Sequence, residues 1–317
     1  MYSPLVSILI PVYNKEEWVS DTLQSVLNQS YKNWECIIID DGSTDESLTK
    51  INEFTTNNPA MWKVVSTPNS GQTAARNYGI ELSSGELVAF LDADDLWHQE
   101  KIVSQVRFFN SNPDTHLVFT PYVIFRRNQI HGFRIVDGRN PKKLVRDWLN
   151  MRGFGGLIES TGMIRRKTLL EFGGFPKDFS MTAGLDLSLR IVRSRNTAIT
   201  SKPHVFYRLS EGQFHKNEDV LIEDLKMTSV RHTNSQGELL KLSSLHSNYL
   251  FWSERRRDGK SSFIKSMILA FMLLDYRKIS MLYFLISRNL YALIRGQIHR
   301  GYIREFLFPD SLNSPGK

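Results

Sequence analysis

The chain has 317 residues, of which 41% are hydrophobic and 23% charged, and it carries a net charge of +7. That is enough chain for one large domain or two smaller ones, with the composition of an ordinary globular protein. A single cysteine, Cys36, excludes an internal disulfide and a cysteine-built metal cage. Leu5 to Ile10 is a short apolar run ending at Pro11, and it reads as a strand. Asn14 and Glu17 stand at capping-box spacing before a helix that carries Trp18, Val19, Leu23, Val26 and Leu27 on one face. Glu35 to Ile39 is a second strand, closed by Asp40 and Asp41. Within it, Cys36 reads as a small buried hydrophobe in a reducing compartment. Ser43 and Glu46 repeat the capping spacing and open a helix toward Phe54. Trp62 to Ser66 is a third strand, Thr73 to Leu82 a helix, and Leu87 to Leu91 a fourth strand. No basic segment with a long apolar stretch precedes Leu5, so a secretory leader is not expected.

Further on, His98 to Asn110 reads as a helix, His116 to Phe125 as a strand, and Lys142 to Met151 as a helix. Gly153, Gly155 and Gly156 mark a flexible connection. Thr161 to Ile164 is short and strand-like. Lys167 to Phe172 is a helix ending at Gly173-Gly174, and Leu185 to Arg193 is another. Ala198 to Arg208 is extended and contains Pro203. From about Glu218 the pattern is helical throughout. Ser262 to Leu274 and Ile279 to Ile294 are apolar with scattered cations, and neither reaches the roughly 18–20 uncharged residues that a membrane span needs. They suit a small helical bundle or helices lying in a membrane interface. Residues 236–304 hold 12 Lys or Arg against 4 Asp or Glu, a surplus of eight charges that accounts for the whole net excess. A local basic excess implies an anionic partner. Arg255-Arg256-Arg257 reads either as a solvated helix face or as a contact for anionic headgroups.

The strand–helix alternation predicts an α/β fold, a mostly parallel sheet with helices on both faces, followed by a C-terminal α-helical region. In such sheets ligands bind beyond the C-terminal ends of the strands. Chemistry-bearing residues gather at those ends. Leu87 to Leu91 runs straight into Asp92, Asp94 and Asp95. A buried strand holds such carboxylates rigidly at the rim, and Mg²⁺ or Mn²⁺ typically sits between one or two carboxylates and a substrate's phosphates. The cluster therefore points to metal-assisted chemistry on a diphosphate. Read locally, it is an acidic loop capping the helix near His98. Tyr13 offers a ring for a base to stack on, or packs as a turn tyrosine. Asp41 suits hydrogen bonds from a uracil imide or a ribose, or simple helix capping. Asn69 to Asn77 combines a glycine turn at Gly71, a helix N-terminus and Arg76. The last two both favour a diphosphate. His204 and His215 read either as ordinary hydrogen-bonded histidines or as metal or phosphate ligands. Each signal alone is weak, but four in order at four successive strand ends reinforce one another.

On these stretches, Val6 to Asn14, Asp40 to Asp45, Asn69 to Asn77 and Phe90 to Asp95, the chain resembles the family 2 glycosyltransferases of GT-A fold. Gly173-Gly174-Phe175 matches that family's acceptor-side turn, and the resemblance covers roughly residues 4–210. It implies a Rossmann-like sheet, a nucleotide-sugar donor that is usually UDP-linked, a divalent metal (Mn²⁺ or Mg²⁺), and inversion by a single displacement. It implies that Pro11, Tyr13 and Asp41 contact the nucleoside, with Asn14, Asn69, Gly71 and Ala93 also in the nucleotide-sugar site. Arg76 would sit near the base or diphosphate. Asp94 would bind the metal, with Asp92 assisting near ribose or metal. One departure stands out. The family's Glu-Asp pair, whose second acid is the usual general base, falls on Ala183 and Gly184. Asp186, in Asp186-Leu187-Ser188-Leu189-Arg190, is the nearest carboxylate in sequence. Either it takes the role, or another residue does, or the chain is a weak or inactive enzyme; read locally, Asp186 is a helix N-terminal acid that complements the dipole.

The expected organisation is a glycosyltransferase domain over residues 1–215, with a nucleotide-sugar half to about 110 and an acceptor half after it. A helical region over 216–308 and a disordered tail over 309–317 follow. The expected activity is transfer of a sugar to a glycan or lipid-linked saccharide in surface polysaccharide synthesis. The expected location is cytoplasmic, peripheral at the inner face of the cell membrane, with an anionic membrane surface as partner and no nucleic acid. Two alternatives stay open. A non-catalytic nucleotide-sugar-binding or scaffolding protein would explain Ala183-Gly184. A sugar nucleotidyltransferase would share the sheet, but it would carry a glycine-rich loop where Pro11-Val12-Tyr13-Asn14-Lys15 stands.

Overall fold

The structure is a computed structural model and describes residues 2–56, 61–126, 129–134 and 159–209, together with 220, 224, 227, 228, 231 and 232. The predicted helix at 142–151, the glycine-rich connection after it, His215, most of the 216–308 region and the tail lie outside the described residues.

In chain order, β1 (Val6–Val12), β2 (Trp34–Asp40), β3 (Trp62–Ser66) and β4 (Leu87–Phe90) alternate with α1 (Val19–Leu27), α2 (Ser47–Thr56) and α3 (Gln72–Leu82). Then come β5 (Leu96–Trp97), α4 (Lys101–Ser111), β6 (Thr115–Phe119), β7 (Tyr122–Arg126) and β8 (Gln129–Arg134). A 3-10 turn (Glu159–Thr161) leads into β9 (Met163–Arg165), α5 (Arg166–Glu171), α6 (Ala183–Ser194), β10 (Asn196–Ile199) and β11 (Val205–Arg208). The main sheet has seven strands in the order β10-β6-β9-β4-β1-β2-β3. All run parallel except β9, which pairs antiparallel with both β4 and β6. A four-stranded sheet, β5-β11-β7-β8, accompanies it.

The strands read as unbroken apolar runs because both faces of the main sheet are covered. In β1 the alternate residues Val6, Ile8, Ile10 and Val12 enter one core with Val19, Leu23 and Val26 of α1 and Ile102, Val106 and Phe109 of α4. Leu9 points the other way, into a second core with Ile80 of α3, Leu169 of α5 and Leu187 and Ile191 of α6. Cys36 is fully buried in the first core, as its apolar run suggested.

Two predicted extended segments are each broken in two. His116 to Phe125 divides at Thr120-Pro121, and Ala198 to Arg208 divides near Pro203. In both, the first half belongs to the main sheet and the second to the smaller one. A proline cannot donate to a ladder, so the chain changes sheets there. The two crossings lie side by side, with His204 N–H donating to Pro121 O at 3.2 Å.

The capping expectations need correction. Asn14 has a positive φ of 51°, and its side chain accepts from Thr44 N–H at 2.8 Å. Ser43 Oγ in turn accepts from Asn14 N–H at 3.1 Å. These oxygens tie the loops after β1 and β2 together. Ser47, the first residue of α2, instead donates its N–H to Asp45 at 2.9 Å.

The described part of the helical region is not separate from the sheet. Chain contacts group residues 1–243 as one unit and 244–317 as another, so the first unit continues past residue 215. Asp224, Thr228 and His232, spaced as one helix face, all contact α6 or the residues just before it. Among the described residues no helix is long and apolar enough to cross a membrane.

Candidate active site

The C-terminal ends of β1, β2, β3 and β4 meet at one rim, because these four strands are parallel and adjacent. Their loops carry the residues singled out above. After β4, Asp92, Asp94 and Asp95 differ sharply in environment. Asp95 is buried. It accepts from Ser160 Oγ–H at 2.6 Å and from Arg208 N–H at 3.0 Å. Burial, with Asp94 and Asp92 nearby, pushes its carboxyl well above the usual carboxylate range. Asp94 is also buried and pairs with Lys15 Nζ at 2.6 Å. Burial raises its pKa more than the Lys15 ammonium lowers it, and the neighbouring Asp92 adds to the rise. Asp92 is half-buried, and its Oδ1 accepts from Arg76 Nη2 at 2.6 Å and from Gln72 Nε2 at 3.1 Å.

Arg76 is the hub. It lies on the buried side of α3, beneath the Phe175 ring of the Gly173-Gly174-Phe175 turn. Besides Asp92 it holds Glu159 Oε1 through Nη1 at 3.2 Å. The turn is set by two positive-φ glycines after α5. Gly174 N–H donates to Leu169 O at 2.9 Å and Gly173 N–H to Leu170 O at 3.1 Å, the paired closure of a Schellman motif. Asn77 of α3 then grips Phe175 through both its amide groups, each at 2.9 Å.

Asp41 is buried, and its carboxylate anchors the loop after β3: Ser70 N–H donates to Oδ1 at 2.8 Å and Gly71 N–H to Oδ2 at 2.9 Å. A β-carbon on Gly42, whose φ is +70°, would stand 2.8 Å from the Asn69 backbone nitrogen, so the two loops touch there. Tyr13 is 47% exposed at the same rim, Asn14 and Asn69 are exposed, and Pro11 is buried within β1. Ala93 is buried, and its carbonyl accepts from Thr22 Oγ1–H at 3.0 Å.

Asp186 stands elsewhere. Its side chain is fully buried on α6, held by His232 Nε2 at 2.8 Å, Arg190 Nε at 2.9 Å and Arg231 Nη1 at 3.5 Å. Burial pushes its pKa up, but the His232 hydrogen bond and the Arg190, His232 and Arg231 charges together hold it below the usual aspartate value. Gly184 faces the other way, toward Glu159, because two residues along a helix are about 200° apart. The expected substitution of Asp186 for the missing acid therefore meets a side chain turned from the rim and closed to solvent. Glu159 escaped the sequence reading because it opens a short 3-10 turn and belongs to no periodic pattern.

A second group, His98, Glu100 and His204, has ligand atoms within 4.8 Å of one another. Its His204 stands just before β11, about 13 Å of extended chain from the Arg208 that touches Asp94 and Asp95. Burial, with His98 and two lysines nearby, lowers the His204 pKa to about 4. Cavities of about 520 and 540 Å³ open beside Glu86 and Arg165, at the opposite end of β4 from the acidic loop.

The glycosyl transferase family 2 model matches residues 7–169, just over half of the chain. An uncharacterized glycosyltransferase of Haemophilus influenzae is 42% identical over 120 residues, 38% of this chain and 47% of that protein, so the chain spans under half of this relative's length. The Escherichia coli UDP-Glc:alpha-D-GlcNAc-diphosphoundecaprenol beta-1,3-glucosyltransferase WfgD is 30% identical over 217 residues, 68% of this chain and 81% of WfgD. Among solved structures, Staphylococcus aureus TarS in complex with UDP-GlcNAc superposes with a TM-score of 0.60 at 19% identity, covering 82% of this chain and 76% of TarS. The Pyrobaculum calidifontis mannosyltransferase PcManGT, in complex with GDP-Man and Mn²⁺, gives 0.59 at 16% identity, over 94% and 84%. Both share the fold.

Proposed function

We propose that this chain, which belongs to glycosyl transferase family 2, moves a sugar from a UDP-linked donor to a saccharide carried on a lipid diphosphate, in surface polysaccharide synthesis. The observation that carries the reading is the rim itself. Two carboxylates, each paired to a cation (Asp92 with Arg76, Asp94 with Lys15), stand where four parallel strands end. This arrangement suits a ligand that is itself a diphosphate with its counter-cation, since both signs of charge are already in place. WfgD, by its name, uses UDP-glucose and a diphospholipid-linked acceptor, which supports the donor and acceptor classes.

The donor set fits a hard divalent cation such as Mn²⁺ or Mg²⁺. Asp94 and Asp92 offer carboxylate oxygens, whereas both oxygens of Asp95 serve Ser160 and Arg208. Bound there, the cation would neutralise charge building on the leaving diphosphate. Lys15, on a partly exposed and flexible stem, is free to shift from Asp94 to a phosphate. Tyr13 offers its exposed face to the base. Asp41 has used two of about four acceptor positions on the loop, which leaves capacity for a nucleoside donor. Single displacement at the anomeric carbon would invert it.

Thermal melting with a panel of UDP-sugars, with and without Mn²⁺, tests this reading. A donor that binds the folded state raises the midpoint by mass action. The parent should show a larger shift with Mn²⁺ present, and Asp94→Ala should still fold but lose that increment. An unchanged Mn²⁺-dependent shift in Asp94→Ala would remove Asp94 from the metal site.

A further inference from the structure

Transfer to a hydroxyl needs a group that takes its proton, within about 2.6–3.2 Å or through one water. The carboxylates around the rim are mostly committed. Asp95 is buried with both oxygens bonded, Asp94 is buried against Lys15, Asp92 takes Arg76 and Gln72 on Oδ1 and leaves Oδ2 for the cation assigned to it above, and Asp186 is buried on α6 away from the rim. Glu159 differs. Its Oε1 faces Arg76, no hydrogen bond to its Oε2 is found among the described residues, and 17% of its side chain reaches solvent.

Its position is fixed from two directions. The adjoining Ser160 is stitched to the acidic loop. Asp92 N–H donates to Ser160 Oγ at 3.1 Å, Ser160 Oγ–H to Asp95 at 2.6 Å, and Trp97 Nε1–H to Ser160 O at 2.9 Å. From the other side the carboxyl group presses on the first turn of α6. A β-carbon at Gly184 would stand 2.0 Å from Glu159 Oε1 and 2.5 Å from its Cδ. Any β-carbon at 184 would require the Glu159 side chain, whose far end occupies that place, to move aside. The Glu159 carboxyl therefore fills the space that an acidic side chain at 184 would enter, reaching it from the turn before β9 instead of from α6. Burial raises its pKa against the opposing Arg76 charge, which suits a group that must accept a proton.

We propose that Glu159 is the general base of the transfer, standing in space where residue 184 carries no side chain. Oε2 takes the proton of the acceptor hydroxyl as that oxygen bonds to the anomeric carbon. The bond from that carbon to the diphosphate breaks, and its electron pair leaves on the diphosphate oxygen. The assignment rests on the transfer reading given above.

The test uses the full chain with a panel of UDP-sugars that includes UDP-glucose, and N-acetylglucosamine linked through diphosphate to a short polyprenol. Glu159→Gln should lose about 10²–10⁴-fold in kcat, the usual worth of such a group. Its donor KM and donor-induced melting shift should stay unchanged. A residue that merely held Arg76 in place would move those two as well. Gly184→Asp alone should melt lower and transfer less, because the new side chain meets Glu159. Adding Glu159→Gly to Gly184→Asp should restore the melting midpoint and return transfer at least about tenfold above Glu159→Gln. Transfer by Glu159→Gln within about threefold of the parent overturns the assignment, as does a silent parent beside an active double variant. Silence from both chains with every donor overturns the donor and acceptor reading, and the base with it.

Discussion

The fully buried Asp186 carboxylate is held by Arg190 of its own helix and by the helical residues Arg231 and His232. Removing one partner of such a network leaves the others uncompensated. Asp186→Asn should therefore cost about 3 kcal/mol of stability at neutral pH, near the low end for a buried pair because Arg190 and Arg231 reach solvent. The pH dependence follows from the lowered folded-state pKa. The contribution is complete above the unfolded aspartate value of about 3.9 and is lost as pH falls through the folded value. Urea melts of parent and variant should differ at pH 7, and the difference should shrink as pH falls below about 3.9. Equal midpoints at pH 7 would mean that the network does not support the fold. Asp186 lies two positions from the missing acid, and proximity along the chain alone favours it. The 200° turn of the helix sends it away, while Glu159, 25 positions before Gly184, comes close through the antiparallel insertion of β9.

Elements that are buried on both faces were the legible part of the sequence. β1 to β4 and α1 to α3 follow the apolar periods within a residue or two, since burial imposes those periods. Polar side chains that act between elements were not legible. The Asn14 and Ser43 oxygens match a local capping spacing, yet each is taken by the opposite loop about 30 residues away. The same holds at the entry to α6, which is held from outside its own sequence. Asp224 Oδ2 accepts from Ser180, Met181 and Thr182 N–H at 3.0, 2.6 and 3.0 Å. One carboxylate thus fixes the three backbone N–H groups that lead into the helix, near the positive end of its dipole. Asp224→Ala should cost about 1–2 kcal/mol, the range of a strong cap. It should also speed amide hydrogen exchange at residues 180–187 before the rest of α6. Unaltered exchange there would show that another group holds the helix entry. Because Gly184 lies in that first turn, the same variant should loosen the packing of Glu159 and lower transfer without removing the base.

At the scale of the molecule, charge is segregated along the chain. The described rim balances its acids with Lys15, Arg76 and Arg208, whereas residues 236–304, outside the described part, hold the eight-charge surplus. A diphospholipid-linked acceptor lies at a membrane surface, and no described helix is long and apolar enough to cross one. An interleaving of cations with apolar runs suits attachment by anionic headgroups plus shallow insertion. The full chain should therefore sediment with vesicles rich in phosphatidylglycerol and not with purely zwitterionic ones. The attraction should weaken steeply as ionic strength rises from about 0.05 to 0.5 M, where the screening length drops from about 14 to 4 Å. Replacing Arg255, Arg256 and Arg257 by Gln should weaken the partition by about 3 kcal/mol, roughly a hundredfold, at about 1 kcal/mol per basic residue. Donor binding at the strand rim should be unaffected by that change, since Arg76, Asp92 and Asp94 are untouched. Absence of sedimentation at low salt would leave residues 236–304 as a solvated basic stretch, and the acceptor would have to reach the rim without the help of the membrane's charge.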